Sequence, residues 1–485
     1  MTQFLNALRA ETNYTSTENG ALTNRSSLSA VVDFFSLAGA MRNTPERAAD
    51  LFDAAFEEDP QTALRTLFYL RDIRGGQGER DIFRAGMRRF AARPEYQAAL
   101  YPTIRLIPEY GRWDDIFFDG ITPTVVKIIR EQLRVDLLNH AAAPTEPVSL
   151  MAKWLPSENA SSKATRQMAR QLASELGYSS ASYRRVLSKL RARIKLLEQD
   201  MSANRWDDIE FSKLPSQAHR KHVKAFHRHV PERYQAYLNS VTRGESKINV
   251  KTVYPYEIYD MIRPSRYGKF GDSEYANVAW ENLPDYTTDG DALVMADVSG
   301  SMRGRPMSVS VSLALYFAER NKGAYKGYFM TFSEHPQLVQ VRGDTLARRM
   351  VNIERAEWGM NTNLSAAFQA ILRAAKSSGE APKVLYIISD MEFDEATDSR
   401  GRRSNDTVFR TARQEFAQAG FELPHVVFWN VNARNMQVPA SILDGAVSLV
   451  SGSSPTVFAM AVEGKSPLQL VHEVVNAERY SRIVL

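Results

Sequence analysis

The hydrophobic periodicity of this chain changes once, and that change divides it into two kinds of structure. From about Asp33 to Tyr259 apolar residues recur at spacings of three and four, the mark of helices. Ala48, Leu51, Phe52, Ala55 and Phe56 form one helical face that stops at Asp59-Pro60, and Ala63, Leu64, Leu67, Phe68 and Leu70 begin the next. Short polar breaks join successive helices, as in an α-solenoid. Gly268, Gly271 and the polar stretch to about Tyr286 read as a linker. Beyond it short apolar runs alternate with helical patterns. Strands are expected at 292–297, 325–332, 337–341, 383–389, 424–430 and 447–450, and helices near 306–320, 363–376, 406–418 and from about 467. Such alternation implies a doubly wound α/β sheet. With 485 residues, too many for one core, the expected division is an all-α repeat domain over 1–275 and an α/β domain over 276–485.

The sequence Arg112-Trp-Asp-Asp-Ile-Phe-Phe118 returns as Arg205-Trp-Asp-Asp-Ile-Glu-Phe211, 93 residues later. An internal repeat is therefore expected, with Trp113 and Trp206 at inter-helix corners and the paired aspartates capping the turns after them. The chain has no cysteine, which excludes disulfides, thiolate catalysis and cysteine-based zinc sites. No apolar run reaches the roughly 18 residues of a membrane helix, and the N-terminal residues lack a signal-peptide pattern. A soluble cytoplasmic protein with no membrane partner is the expectation.

The apolar run Ala292-Leu-Val-Met-Ala296 delivers Asp297-Val-Ser-Gly-Ser301 onto a glycine-containing turn. One carboxylate and two hydroxyls at alternate positions can face a single hard cation. Thr362, before the apolar pattern of a helix, and Asp390, which ends the buried-strand run Lys383-Val-Leu-Tyr-Ile-Ile-Ser-Asp390, would reach the same point if the two strands are parallel neighbours. The alternative is that Asp297, Ser299 and Ser301 only cap the following helix. Three of the five groups are neutral hydroxyls, so Mg²⁺, or Mn²⁺ or Ca²⁺, would be held by two carboxylates and keep an open coordination position. A partner's carboxylate would fill that position, helped by Arg303 and Arg305 if they face the mouth. Glu392, Asp394 and Glu395 are the nearest bases for metal-assisted hydrolysis, but a solvated acidic loop is the preferred reading, and nothing demands catalysis. The Asp-x-Ser-x-Ser, Thr and Asp pattern of Asp297, Ser299, Ser301, Thr362 and Asp390 resembles the metal-ion-dependent adhesion site of von Willebrand factor A domains. Asn361 and Met391 stand where that family often has glycine.

Net charge is concentrated: residues 1–150 carry −3, residues 151–270 carry +12 and residues 271–485 carry −4. A polyanion is the expected partner of the middle segment. Within Ser182–Leu197 the stripe Leu187, Leu190, Ile194 and Leu197 faces a core, flanked by Arg185, Lys189 and Arg193 on one side and Arg184, Arg191 and Lys195 on the other. A second group, Arg220, Lys221, Lys224 and Arg228, is interleaved with His219, His222, His227 and His229 and reads as basic surface. Tyr254, Tyr256 and Tyr259 could stack on bases, with core packing as the default. Gly75-Gly-Gln-Gly78 reads as a turn between repeat helices, since it lacks the Lys-Ser pair of a phosphate loop.

Glu18-Asn-Gly-Ala-Leu-Thr-Asn24, Arg71-Asp-Ile-Arg-Gly-Gly-Gln-Gly-Glu-Arg80, Pro108-Glu-Tyr-Gly-Arg-Trp-Asp-Asp115, Ala152-Lys-Trp-Leu-Pro156 and Asp297-Val-Ser-Gly-Ser-Met302 together resemble the Ro/TROVE family. The resemblance implies a ring or solenoid of HEAT-like helical repeats closed by a Rossmann-like von Willebrand factor A domain, with RNA as the partner. The expected function is non-catalytic RNA binding plus capture of a protein carboxylate at the cation. The competing expectation is a protein-only assembly module that uses the cation site without nucleic acid.

Overall fold

The computed structural model describes residues 8–143, 145–263, 273–287, 291–332, 335–354, 356, 362–397, 402, 404, 406–460 and 464–485. Gly268, Gly271, Gly359 and Asn361 lie outside these residues, so the linker and the turn before Thr362 are not described. A small antiparallel hairpin, β1 (Tyr14–Ser16) and β2 (Leu22–Asn24), follows a helical turn at residues 8–11 and has no counterpart in the sequence reading.

The first helices are α1 (Ala30–Leu37), α2 (Pro45–Glu58), α3 (Pro60–Arg71), α4 (Arg80–Ala91), α5 (Gln97–Tyr110) and α6 (Pro123–Ala142). They continue as α7 (Met151–Trp154), α8 (Lys163–Leu176), α9 (Ser180–Ile194) and α10 (Leu197–Ser202). The last four are α11 (Ser216–His229), α12 (Pro231–Thr242), α13 (Pro255–Ile262) and α14 (Glu274–Glu281). Local chemistry sets their ends. Asp59 stops α2 and caps α3, its Oδ1 accepting from Thr62 N at 3.0 Å, while Pro60 gives up a backbone donor the first turn does not need. The stripe expected over 182–197 is broken: Lys195 adopts φ 52 and closes α9, so Leu197 belongs to α10.

The α/β unit contains β3 (Ala292–Ala296), β4 (Tyr328–Thr331), β5 (Leu338–Gln340), β6 (Val384–Ser389), β7 (His425–Asn430) and β8 (Val447–Ser451). Its helices are α15 (Arg305–Arg320), α16 (Leu346–Glu354), α17 (Leu364–Ser378), α18 (Val408–Gln418) and α19 (Pro467–Val475). The sheet order is β5-β4-β3-β6-β7-β8. All neighbours are parallel except β5, which turns back antiparallel on β4 and makes the sheet mixed. Helix α16 has no counterpart in the sequence reading. The strand β6 is buried at five of six positions, which is why it reads as an unbroken apolar run.

Both ends of the helical stretch rest on this unit. Helix α1 packs on β8 and α19, and α3 on α19, whereas α13 packs on α15 and α14 on α16. The motif from Arg71 to Arg80 is the latch at the first end. A Cβ on Gly76 would stand 1.9 Å from the Tyr69 carbonyl, so the turn must be glycine there. That close turn sends buried Gln77 between Tyr69, whose hydroxyl accepts its Nε2 at 2.7 Å, and Ser454, whose N–H it accepts at 3.3 Å. Buried Asp72 binds Arg479, with Nη2 at 2.7 Å, and Tyr480 at 3.1 Å. Tyr254, Tyr256 and Tyr259 do not stand free for stacking on bases: Tyr256 and Tyr259 are buried, and Tyr256 carries Arg305 over its ring at 4.4 Å.

The two Arg-Trp-Asp-Asp copies differ. In the first, Asp115 is fully buried, caps the Arg112 N–H at 2.8 Å and pairs with buried Arg71 at 2.6 Å. In the second, Asp207 and Asp208 are exposed, and Trp206 stacks on His229 with ring centroids 4.0 Å apart. Only the first copy is a structural hub.

Candidate metal and nucleic-acid sites

Strand order reverses between β3 and β6: the chain leaves β3 toward β4 and leaves β6 toward β7. Loops at the carboxyl ends of these strands diverge there and open a crevice. Asp297 follows β3, with its N–H on the Ile388 carbonyl at 2.9 Å, and Asp390 follows β6. Both are buried. Asp297 accepts the Ser299 N–H at 2.8 Å and the Ser389 hydroxyl at 2.6 Å. Burial, and then the neighbouring Asp390, push its carboxyl up to about 6.

Ser299 Oγ and Ser301 Oγ are 3.0 Å apart. That matches the edge of an octahedron of oxygens at Mg²⁺ distance, which is about 3.0 Å. Two adjacent buried carboxylates with hydroxyls beside them make a donor set that fits a small divalent cation, which would relieve the burial of like charge. Asp297, Ser299, Ser301 and Asp390 are the groups that would hold it. Thr362 is placed differently. Its Oγ1 lies 2.9 Å from the Glu392 carbonyl and 3.1 Å from Asp394 Oδ1, and it accepts from Asn19 Nδ2 at 3.0 Å. Its contacts thus run to the loop beyond Asp390 and to the N-terminal hairpin. Among the described residues no group of three or more His, Asp or Glu is arranged to hold a metal; the set here has two carboxylates and two hydroxyls.

The loop after Asp390 is not a solvated acidic segment. Glu392 is buried and accepts from Glu18 N at 2.8 Å, Asn435 Nδ2 at 2.8 Å and Gln437 Nε2 at 2.7 Å. It ties the hairpin to the loop after β7. Arg434 on that loop pairs with Asp390 at 3.2 Å and with Glu18 at 2.7 Å. Glu18, Asn19 and Arg434 are not recognisable as site residues from sequence, because 343 residues separate Asn19 from Thr362 and no periodicity spans that gap. Arg303 is exposed beside the loop, whereas Arg305 turns away to Tyr256.

The ten basic candidates divide. Arg191 donates to the carbonyls of Ala152 and Leu155 and to Ser157 Oγ, and Arg193 to those of Ala143 and Glu146. Arg220 is taken by Glu257 at 2.8 Å and by Gln217. These three serve the helical fold and do not stand free for phosphate. Arg184 is exposed and 3.6 Å from Glu158. Arg185, Lys189 and Lys195 around α9, and Lys221, Lys224 and Arg228 on α11, are exposed. Spacings of three and four place the α11 cations in one stripe. The two stripes sit on different packing groups, α9 against α6, α7 and α8, and α11 against α12.

The histidines are not one basic surface. His219 is buried, with Nε2 2.9 Å from the Tyr234 hydroxyl, and burial lowers it to about 4. His425, buried on β7 beside Ser448, is also lowered to about 4. Both are held neutral in the fold, while an unfolded chain binds protons near 6.5. Their contribution to stability is therefore whole above about pH 6.5 and is lost as pH falls toward 4. Thermal melting between pH 7 and pH 4.5 should show a smaller acid loss for His219→Gln than for the parent chain.

Residues 17–92 and 113–285 match the family described as Domain of unknown function (DUF2828), and residues 291–481 match Domain of unknown function (DUF7788). Uncharacterized protein L728 of Acanthamoeba polyphaga mimivirus is 30% identical over 508 aligned positions, covering 96% of this chain and 87% of the relative. Among solved structures, the crystal structure of Deinococcus radiodurans RO (RSR) protein aligns over 92% of this chain and 93% of its own, at 14% identity and a TM-score of 0.39. Among the described residues no helix is long and apolar enough to cross a membrane.

Proposed function

The chain belongs to the DUF2828 family, and for it we propose a non-catalytic role as an RNA-binding ring of Ro/TROVE kind, whose von Willebrand factor A-like unit captures a carboxylate-bearing partner through a divalent cation. The strongest support is the meeting of Asp297, Ser299, Ser301 and Asp390 at the reversal point of the sheet, two buried carboxylates beside a 3.0 Å hydroxyl pair. A cation there keeps a position open for an incoming oxygen. The residues themselves orient and shield: Ser389 and the Ser299 N–H fix the Asp297 carboxylate.

The ring reading is supported by a helical stretch that starts on the α/β unit and returns to it. RNA is supported by the exposed stripe of Lys221, Lys224 and Arg228 and by Arg185, Lys189 and Lys195. Changing Lys221, Lys224 and Arg228 together to glutamine is expected to weaken binding of structured RNA and lower the slope of log affinity against log salt by about 3. Fluorescence anisotropy across a salt series reads both, and unchanged affinity and slope would remove α11 from the RNA surface. The internal bonding of Arg191, Arg193 and Arg220 favours the second reading, a protein-only assembly module. Purified protein that is free of nucleic acid and ignores RNA at low salt would establish it.

A further inference from the structure

Arg434 is aimed into the cation site by a residue from the far end of the chain. Its Nη2 lies 3.2 Å from Asp390 Oδ2, and its Nη1 lies 2.7 Å from Glu18 Oε2. Its buried Nε has no hydrogen-bond partner, so the guanidinium sits in the cleft without being fully satisfied there. Glu18 is held in turn. Asn435 Nδ2 donates to its Oε1 at 3.0 Å, and its N–H is fixed on buried Glu392 at 2.8 Å. Thr17 anchors the hairpin tip by donating to the Phe393 carbonyl at 2.7 Å, and Asn19 donates to the Glu392 carbonyl at 2.7 Å. The tip is therefore fixed, and the Arg434 side chain, a third exposed, is the part able to move.

We propose that Arg434 is a tethered counter-cation that competes with the divalent ion for Asp390, and that Glu18 sets the outcome by offering Arg434 an alternative carboxylate. This rests on the cation reading of the Asp297–Asp390 site. With the ion bound, the guanidinium leaves Asp390, keeps Glu18, and stands at the rim as a positive group beside the open coordination position. A positive group at that rim selects an acidic side chain as the captured partner. Two positive charges within a few ångströms of one buried carboxylate repel strongly, so exchange is favoured over co-occupation.

Calorimetric titration of Mn²⁺ alone into the full chain, with the Mn²⁺ paramagnetic resonance signal as a second readout, tests this. Arg434→Gln is expected to bind Mn²⁺ about tenfold more tightly, because the competing charge is gone. Glu18→Gln is expected to change affinity in the opposite direction, since Arg434 then has Asp390 as its sole ion-pair partner of the two. A general structural defect would not give opposite signs. Equal or weaker Mn²⁺ binding by Arg434→Gln, with the parent chain binding normally, would overturn the competition while leaving the cation site standing. Absence of Mn²⁺ binding in the parent chain and in both variants would overturn the cation site and the competition together.

Discussion

Replacing Asp115 by alanine is expected to destabilise the helical repeats by about 3–5 kcal/mol, the usual cost of leaving a buried charge without its partner. Asp115 and Arg71 are both essentially inaccessible to water, and the carboxylate accepts from Arg71 Nε at 2.9 Å and Nη2 at 2.6 Å. The same group takes Arg84 at 3.1 Å and Arg80 at 3.4 Å, and it caps the Arg112 N–H. Its loss strands Arg71 beside Gly111, where an added Cβ would already crowd the Arg71 Nε at 2.8 Å. Differential scanning calorimetry should show the helical transition falling well below that of the parent. The corresponding change in the second copy, Asp208→Ala, should move it little, because Asp208 is exposed and 3.6 Å from an exposed Arg205. Equal effects at the two positions would contradict the asymmetry of the repeats.

That asymmetry shows where sequence reasoning stops. The paired Arg-Trp-Asp-Asp segments look alike because local capping chemistry is local, but whether an aspartate becomes a hub depends on arginines 31 to 44 residues away. Most strands and helices of the α/β unit are legible, since buried strands such as β6 are continuous apolar runs and α17 carries a regular stripe. Helix α16 is hidden because its nine residues are too few to show a sustained period and Arg348, Arg349 and Asn352 interrupt its apolar positions, and β1 and β2 because three-residue strands show no usable alternation. For the cation site, Asp297 and Asp390 can each be placed at the end of a buried strand from the sequence, and the parallel pairing of β3 with β6 brings them together. The hairpin contacts at Glu18 and Asn19 cannot. Helical spacing separates core from surface on α9, yet it says nothing of Arg191 and Arg193, whose long side chains reach back to the carbonyls of Ala152 and Ala143, 39 and 50 residues earlier.

The second large effect is expected at Asp297. Asp297→Asn keeps the side-chain shape but removes one of two adjacent buried carboxylates, so divalent-ion affinity should fall by more than the ~100-fold that loss of an outer-shell partner can cost. In the presence of a chelator the same substitution should not lower thermal stability as a core deletion would, because it removes like-charge repulsion with Asp390 from a buried site. Added Mg²⁺ should raise the melting temperature of the parent chain, since a ligand that binds the folded form alone stabilises it, and should leave Asp297→Asn unmoved. Ser301→Ala, which removes half of the hydroxyl pair, is expected to lie between the two.

The most direct measurement is the stoichiometry of Mn²⁺ binding to the full chain by equilibrium dialysis, parent against Asp297→Asn. One ion per chain in the parent and none in the variant at the same free Mn²⁺ is the expected result. No bound ion in the parent at millimolar Mn²⁺, or equal binding by the two proteins, would contradict a cation site at Asp297 and Asp390.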